Sequence, residues 1–549
     1  MNRFVPILVS LFALSFGRLA AAPFDVRAFG AKGDGRTLDT AAINMAIEMA
    51  AAAGSGTVYF PAGDYLSFTI RLKSRVALHL DAGATLIAAE PSADLAQGYD
   101  APEPNPGWNQ YQDFGHSHWR NSLIWGEGLE DIAIYGRGRI YGRGLSRGSG
   151  RRDLTPEERR SGAKPDLALP AKSDGSAVIE PGPFNYPNPR DSLPAGVGNK
   201  TIALKHCRNV IFRDFTIYHG GHFAVLGTGV DNWTIDNLAI DTNRDGIDID
   251  ACVNVRVSNC SINTPDDDGL CLKSSYALGY ARSTDNVTIT NCYVSGFVEG
   301  TLLDGTRRRA QGVHGVPFGR IKLGTESNGG FRNITISNCV FEFGRGLALE
   351  SVDGALMEDI AISNLTMRDI GNAPIFIRLG ARMRGPEGSP VGTARRIRIN
   401  NVVAHNVAAQ SGMLIAGLAE NPIEDLSLSS IFIDYAGGGT REQGERVVPE
   451  YEKAYPEPTQ FGTIPAWGLW ARHVKNFSVD HVEFRTATDD FRPVVIFDHV
   501  SDGRVSHARL PRVADVPAFR LRGVAGFSCH DTAGVPDTVR TKFLAQEDL

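Results

Sequence analysis

Two acidic stretches carry the strongest chemical signal in the chain, NRDGIDID from Asn243 to Asp250 and TPDDDGLCLKS from Thr264 to Ser274. Asp245 and Asp267 are 22 residues apart, and Asp268 follows directly. Carboxyl groups crowded together do not all ionise: one keeps its proton while its neighbours stay charged, which makes an acid and base pair. Hydrolysis of a glycosidic bond needs that division, one carboxyl to protonate the leaving oxygen and one carboxylate to activate water or attack carbon. Asp-rich segments also serve as plain turn formers or calcium loops. Two of them at this spacing, with apolar strand residues on both sides, favour the catalytic reading.

The spacing matters because the chain repeats at the same interval. A phrase of Asn or Asp followed by alternating apolar positions recurs as NVIFRDFTI from Asn209, NWTIDNLAI from Asn232, NVRVSNCSI from Asn254, NVTITNCYV from Asn286, NITISNCVF from Asn333 and DIAISNLTM from Asp359. Weaker copies begin at Arg396, Asp425 and Asn476. Units this short cannot bury an inner face alone and gain a core by stacking, which predicts a parallel β-helix solenoid. The leucine consensus of a horseshoe is absent, and a propeller needs longer periods. Asp245 and Asp267 then lie on neighbouring rungs, about 4.8 Å apart along the stack. The intervals of 32 and 47 residues that begin at Asn254 and Asn286 hold the same coil plus an inserted loop.

The remaining organisation follows from composition. At 549 residues with 42% hydrophobic content the chain can bury a large core, and 60 Gly with 29 Pro suit many short strands. A net charge of −6 gives no footprint for nucleic acid or an anionic membrane surface. Residues 1–22 combine Arg3, the apolar run from Phe4 to Phe16 and Ala20 to Ala22, the layout of a signal peptide, so a secreted or periplasmic location is expected for a single β-helix domain at 23–549. Residues 24–67 read as an N-terminal cap with a helix from about Leu38 to Ala53, Asp39 or Thr37 as N-cap and Gly54 as its stop. Segments 91–120, 144–200 and 296–318 read as long loops. Cys260, Cys292 and Cys339 each close a similar phrase and are expected to stack as small apolar core residues.

The order NxDGID, then DD followed by GLCLKS one coil later, then LGTESNGG from Leu323 to Gly330, resembles glycoside hydrolase family 28, the polygalacturonase family. The segments AFGAKGDG and TVYFPAGDY are similar to the cap of pectin-degrading β-helix enzymes. The resemblance implies a right-handed parallel β-helix, all-β apart from the cap, that hydrolyses galacturonic-acid linkages with inversion and with no metal or cofactor. It places Asp267 as general acid, with Asp245 and Asp268 holding the attacking water as general base, and leaves Asp266 as an extra member of the triple. Asn243 and Lys273, inside the matching motifs, are assigned by it to substrate binding. By the general rule, an inverting pair separated by roughly 6.5 to 9.5 Å requires these side chains to splay.

Two places depart from the family pattern. Gly319 stands where the family carries a histidine before its SIGS-like strand, and His314, His219 and His222 are the candidates to replace it. The basic Arg-x-Lys pair that grips a substrate carboxylate is replaced by Ala348 and Glu350. One coil earlier, Arg320 and Lys322 stand beside Glu326 and are expected to bind the uronate, since Arg's forked donors fit a carboxylate. Trp108, Tyr111, His116, Trp119 and Arg120, with the insert 296–318, supply groups that stack on sugars and pair with uronates. Loops closing one end of the cleft would make the enzyme exo-acting. The expected partner is a pectic oligo- or polysaccharide. A rhamnogalacturonan hydrolase, a polysaccharide lyase and a non-catalytic sugar-binding solenoid are the competing readings. The oligomeric state and the role of residues 430–549 are left open, and the last coils read as structural.

Overall fold

The computed structural model describes residues 23–113, 115–147, 193–309, 316–409 and 411–549. The leader-like residues 1–22, most of the predicted loop 144–200, and His314 lie outside the described residues.

The repeated asparagine has a physical reason. Asn209, Asn232, Asn254, Asn286 and Asn333 all adopt left-handed backbone, with φ between 53° and 60°. Asn tolerates that region better than other residues with a Cβ. From Asn232 onward each side-chain amide donates to the Asn one rung earlier, at 3.0, 3.1, 3.1 and 2.5 Å along the series, and Asn209 donates to Asp131 at 2.8 Å. The ladder aligns the turns, and alternation then fixes which side chains enter the core. Val210, Trp233, Val255, Val287 and Ile334 are in parallel register and all are buried.

Three such columns of short parallel strands wind into a right-handed parallel β-helix. The first contains Arg208–Arg213, Asp231–Asp236, Val253–Ser258 and Thr284–Thr290. The second contains Thr216–Tyr218, Ala239–Asp241, Ser261–Asn263 and Tyr293–Ser295. The third contains Lys200–Lys205, Phe223–Thr228, Asp245–Asp250, Leu270–Ser274, Ile321–Ser327 and Leu347–Ser351. From Phe331–Gly344 onward the first two columns run together as one long strand per coil. One continuous apolar core extends from Val26 to Val535. Cys260, Cys292 and Cys339 sit in it, and all seven cysteines are free.

At the N-terminal end the helix Thr40–Ala52 sends Ile43, Ala46, Ile47 and Ala50 into this core. Asp39 occupies the N-cap position, but its carboxylate accepts from the backbone N–H groups of Lys32 and Gly33 instead of capping the helix. At the other end Thr538–Asp548 turns back antiparallel to Phe519–His530, which covers the last parallel edge. Among the described residues, long insertions leave from one place, the turn that joins the second column to the third. Residues 89–113 and 115–121 precede Ser122–Glu127, 296–309 and 316–320 precede Ile321–Ser327, and 438–468 precede Leu469–Thr488. They surround the edge at which the Asp245–Asp250 strand begins.

Candidate active site

Asp245 opens its strand, while Asp267 and Asp268 end the turn that leads into Leu270–Ser274 one rung later. Backbone contacts clamp the two rungs together there: Gly246 N–H donates to the Asp268 carbonyl at 3.1 Å, and Ile247 N–H to the Gly269 carbonyl at 3.0 Å. The approach is so close that a Cβ on residue 246 would lie 2.3 Å from the Gly269 carbonyl oxygen, which is why glycine follows the aspartate. One carboxylate oxygen from each of Asp245, Asp267 and Asp268 then falls within 4.8 Å of the other two. Asp267 is the most accessible of the three, with 16% of its side chain exposed against 7% for Asp245 and 3% for Asp268.

Their surroundings treat the three carboxyls differently. Burial, then the nearby carboxylates of Asp267 and Asp248, push Asp245 well above the ordinary aspartate range, so it keeps a proton. Burial also opposes ionisation of Asp268, but Arg320 and Lys322 outweigh it and hold that carboxyl well below its usual value. Arg320 Nε donates to one oxygen of Asp268 at 2.6 Å, and Lys322 Nζ approaches the other at 3.1 Å. Arg244 pairs with Asp267 at 2.6 Å and reaches toward Asp245 at 3.8 Å. The cluster therefore sets one carboxyl, Asp245, pushed toward its protonated form beside two, Asp267 and Asp268, that are paired with basic side chains.

Of the other residues singled out in the sequence, several form a buried ionic row behind the aspartates. Lys273 pairs with Glu326 at 3.1 Å, and Lys322 lies 3.6 Å from Glu350. Both glutamates are fully buried, so they stand as counterions within the wall. Burial pushes Glu350 up to about 7. Asn243 donates to Asp266 at 2.5 Å and fixes the turn. The His222 ring is within 3.2 Å of the Arg147 carbonyl, and His219 pairs with Glu299 at 2.7 Å. Arg120 is half exposed and pairs with Glu127 at 3.3 Å and Glu103 at 3.8 Å, with no ion pair to the three aspartates. Trp119 is buried against Ala203, Phe223, Leu226 and Ala277, so it braces the loop and offers no face to a sugar.

The sequence reading passed over Arg244, Asp248, Arg345 and Glu457. Asp248 was legible, because in IDID the isoleucines enter the core and the aspartates must face outward. Burial pushes Asp248 up to about 8 against the pull of Lys273, 3.7 Å away, and neither of its oxygens accepts a hydrogen bond. The folded protein thus binds a proton there that the unfolded chain, at an ordinary value of 3.8, releases. Stability falls as pH rises through that window. Asp248→Asn removes the loss, so its melting temperature is expected to gain on the wild type between about pH 4 and pH 8 and to run parallel above, as calorimetry across that range would register.

Glu457 had no sequence signal, since it lies in the stretch read as structural. The insertion 438–468 carries it 137 residues along the chain to Arg320, at 2.5 Å, and to Arg345 Nη1, at 2.8 Å. From the same insertion, the Tyr455 hydroxyl accepts from Thr325 at 3.0 Å. Part of the C-terminal third therefore belongs to the site, a correction to the reading of those coils as purely structural.

The chain is similar to several known proteins. Residues 196–447 match the family described as glycosyl hydrolases family 28, and residues 24–120 match the family described as rhamnogalacturonase A/epimerase, pectate lyase-like. A probable polygalacturonase of Vitis vinifera is 24% identical over 480 residues, 83% of this chain and 84% of that protein. An exo-poly-alpha-D-galacturonosidase of Dickeya chrysanthemi is 27% identical over 260 residues, 44% of this chain and 40% of that protein. Among solved structures, the family 28 exopolygalacturonase of Yersinia enterocolitica superposes with a TM-score of 0.59 at 20% identity, covering 88% of this chain and 78% of that one. Residues 196–447 are thus a glycosyl hydrolase family 28 domain, and the chain is a glycoside hydrolase.

Proposed function

We propose that the protein is an exported exo-acting hydrolase of galacturonic-acid-containing pectic glycans, working with inversion through Asp245, Asp267 and Asp268. The observation that carries this reading is the convergence of three carboxyls, one oxygen of each within 4.8 Å of the others, in unequal surroundings that push Asp245 up and hold Asp268 down. Asp245, pushed up by burial, holds the proton while Arg244 pairs with Asp267. A sugar that engages Arg244 releases Asp267 to take the proton. Asp267, the exposed member, then protonates the glycosidic oxygen as the bond to the anomeric carbon breaks. Two carboxylate oxygens no more than 4.8 Å apart can both accept from one water at ordinary hydrogen-bond lengths, so Asp245 and Asp268 bracket the nucleophile despite the short spacing. The water attacks the anomeric carbon and its proton passes to Asp268.

The three carboxyls are also close enough to share a cation, as a lyase would use. Arg244, Arg320 and Lys322 already neutralise Asp267 and Asp268, which favours hydrolysis. The exo mode is supported by the insertions gathered at the third-column turn, and export by the leader-like residues 1–22. The replacement of the expected Arg-x-Lys grip by Ala348 and Glu350 favours one second reading, cleavage of rhamnogalacturonan. Digestion of defined galacturonan and rhamnogalacturonan oligomers, followed by proton NMR, tests the whole. The expected result is galacturonate released singly from chain ends, with the first-formed anomer opposite to that of the linkage. Retained configuration, mid-sized early fragments or an unsaturated product would each refute the corresponding part.

A further inference from the structure

Two rungs before the catalytic cluster lies a buried lysine that the proposed mechanism does not use. Lys200 opens its third-column strand, and the register Lys200↔Phe223↔Asp245 puts it in line with Asp245, about 9.6 Å along the stack. Its side chain is fully buried. Nζ donates to Asn199 Oδ1 at 2.7 Å and Asn121 Oδ1 at 3.4 Å, and lies 5.8 Å from the Phe223 ring centroid. Among the described residues it makes no ion pair. Glu103 is the acidic group that acts on it, and both backbone N–H groups of Trp119 and Arg120 already donate to Glu103 Oε2. A buried ammonium without a counterion is expensive.

The same place collects further unsatisfied nitrogens. His116 Nδ1, His118 Nε2 and Asn199 Nδ2 are buried and have no hydrogen-bond partner among the described residues. His116 packs edge-on against Phe223 at 4.8 Å, and His222 does so at 4.6 Å. The orphaned atoms here are three nitrogens on side chains that can donate and one oxygen, Glu103 Oε1, so the group that completes the nitrogens is an acceptor, and the lysine without an ion pair favours one with negative charge. The uronate grip expected beyond the aspartates is gone, with Ala348 and Glu350 in its place, while an uncompensated cation stands on their opposite side.

We propose that Lys200, with His116, His118 and Asn199, forms a carboxylate subsite that takes the uronate group of the sugar bound on the N-terminal side of the aspartates. The proposal rests on the reading of this protein as a galacturonan hydrolase and locates where that specificity is exerted. Burial lowers Lys200 to about 7, His116 to about 3 and His118 to about 4, so without a guest these groups tend toward neutrality. Glu103, His116, His118 and His222 are the titratable groups facing Lys200, and burial keeps the histidines uncharged at neutral pH. A bound carboxylate restores the lysine's full charge, and binding takes up a proton above pH 7.

Calorimetric titration of the full chain at pH 7.5 with galacturonic acid and with galactose, in two buffers of different ionisation enthalpy, provides the test. The wild type is expected to prefer the acid by about tenfold or more, the scale of a charge-assisted hydrogen bond, with net proton uptake. Lys200→Met is expected to erase both the preference and the uptake. Asn199→Asp supplies the missing counterion from within, so it is expected to melt no lower than the wild type and to lose the preference as well, which keeps the test decisive if Lys200→Met fails to fold. A folded variant of either kind that retains the wild-type preference overturns the subsite while leaving the hydrolase reading standing. A wild type that neither distinguishes the two sugars nor cleaves galacturonan overturns both.

Discussion

Asparagine at position 267 is expected to lower kcat by about a hundredfold or more, with similar losses for Asp245→Asn and Asp268→Asn, because positioned general acids and bases contribute on that scale. The three variants should fail in distinguishable ways. Asp267→Asn removes the donor to the leaving oxygen, so substrates with good leaving groups, such as nitrophenyl glycosides, are expected to recover much of the rate. Asp268→Asn removes the base, and leaving-group quality should give no such rescue. Asp245→Asn removes the store of the shared proton and is expected to flatten the alkaline limb of the pH profile, which that proton controls. Combined variants should lose little beyond the worst single one, since the carboxyls act as a unit. Steady-state rates on a defined oligogalacturonate, with far-UV circular dichroism as the control for folding, decide the matter. A variant that keeps more than a tenth of the wild-type rate would remove its residue from the chemistry.

Arg320→Met should produce the second large effect, through charge instead of direct chemistry. Arg320 donates to Asp268 and to Glu457, and both ends of that bridge are buried. Loss of the guanidinium leaves Lys322 as the sole close cation of Asp268. The carboxyl, now held well below its ordinary value, then rises, and the acid limb of the pH profile is expected to move to higher pH. The sign is fixed by the direction of the wild-type shift: a base that stays ionised into strong acid loses that reserve when its cation goes. Glu457 is also left with Arg345 alone, and breaking a buried pair in this way costs roughly 3 to 5 kcal/mol of stability. Glu457→Gln separates the two consequences, since it relieves the stranded carboxylate while sparing the Arg320–Asp268 contact. An unmoved acid limb in a folded Arg320→Met enzyme would refute the electrostatic role.

Much of this was legible from the chain because a solenoid converts sequence interval into spatial distance. An interval of 22 residues means one rung, so Asp245 and Asp267 could be set side by side without coordinates. The same rule explains the leading Asn of each phrase, which is at once a left-handed turn residue and a link in a side-chain ladder. It also exposes Asp248 and Asp250, whose alternation with core isoleucines sends them outward. Position along a coil is a local property, so the repeat sets which residues of neighbouring coils stand side by side.

The failures have the opposite character. Trp119 and Arg120 looked like sugar-facing groups, yet the fold of their own loop buries one and pairs the other with glutamates. Glu457 travels in an insertion whose landing place no periodicity encodes. The residue types at Lys200 and Arg244 were plain, but their meaning lies in which neighbours carry countercharge. Coil architecture, the stacking of the asparagine turns and the nearness of the acidic pair follow from a short-range repeat, because backbone pairing between adjacent rungs enforces it. Which carboxyl holds the proton, which cation is already spoken for and which loop walls the groove depend on burial and on charges far apart in the chain, and these exist only once the coils have stacked and the insertions have folded over their shared edge.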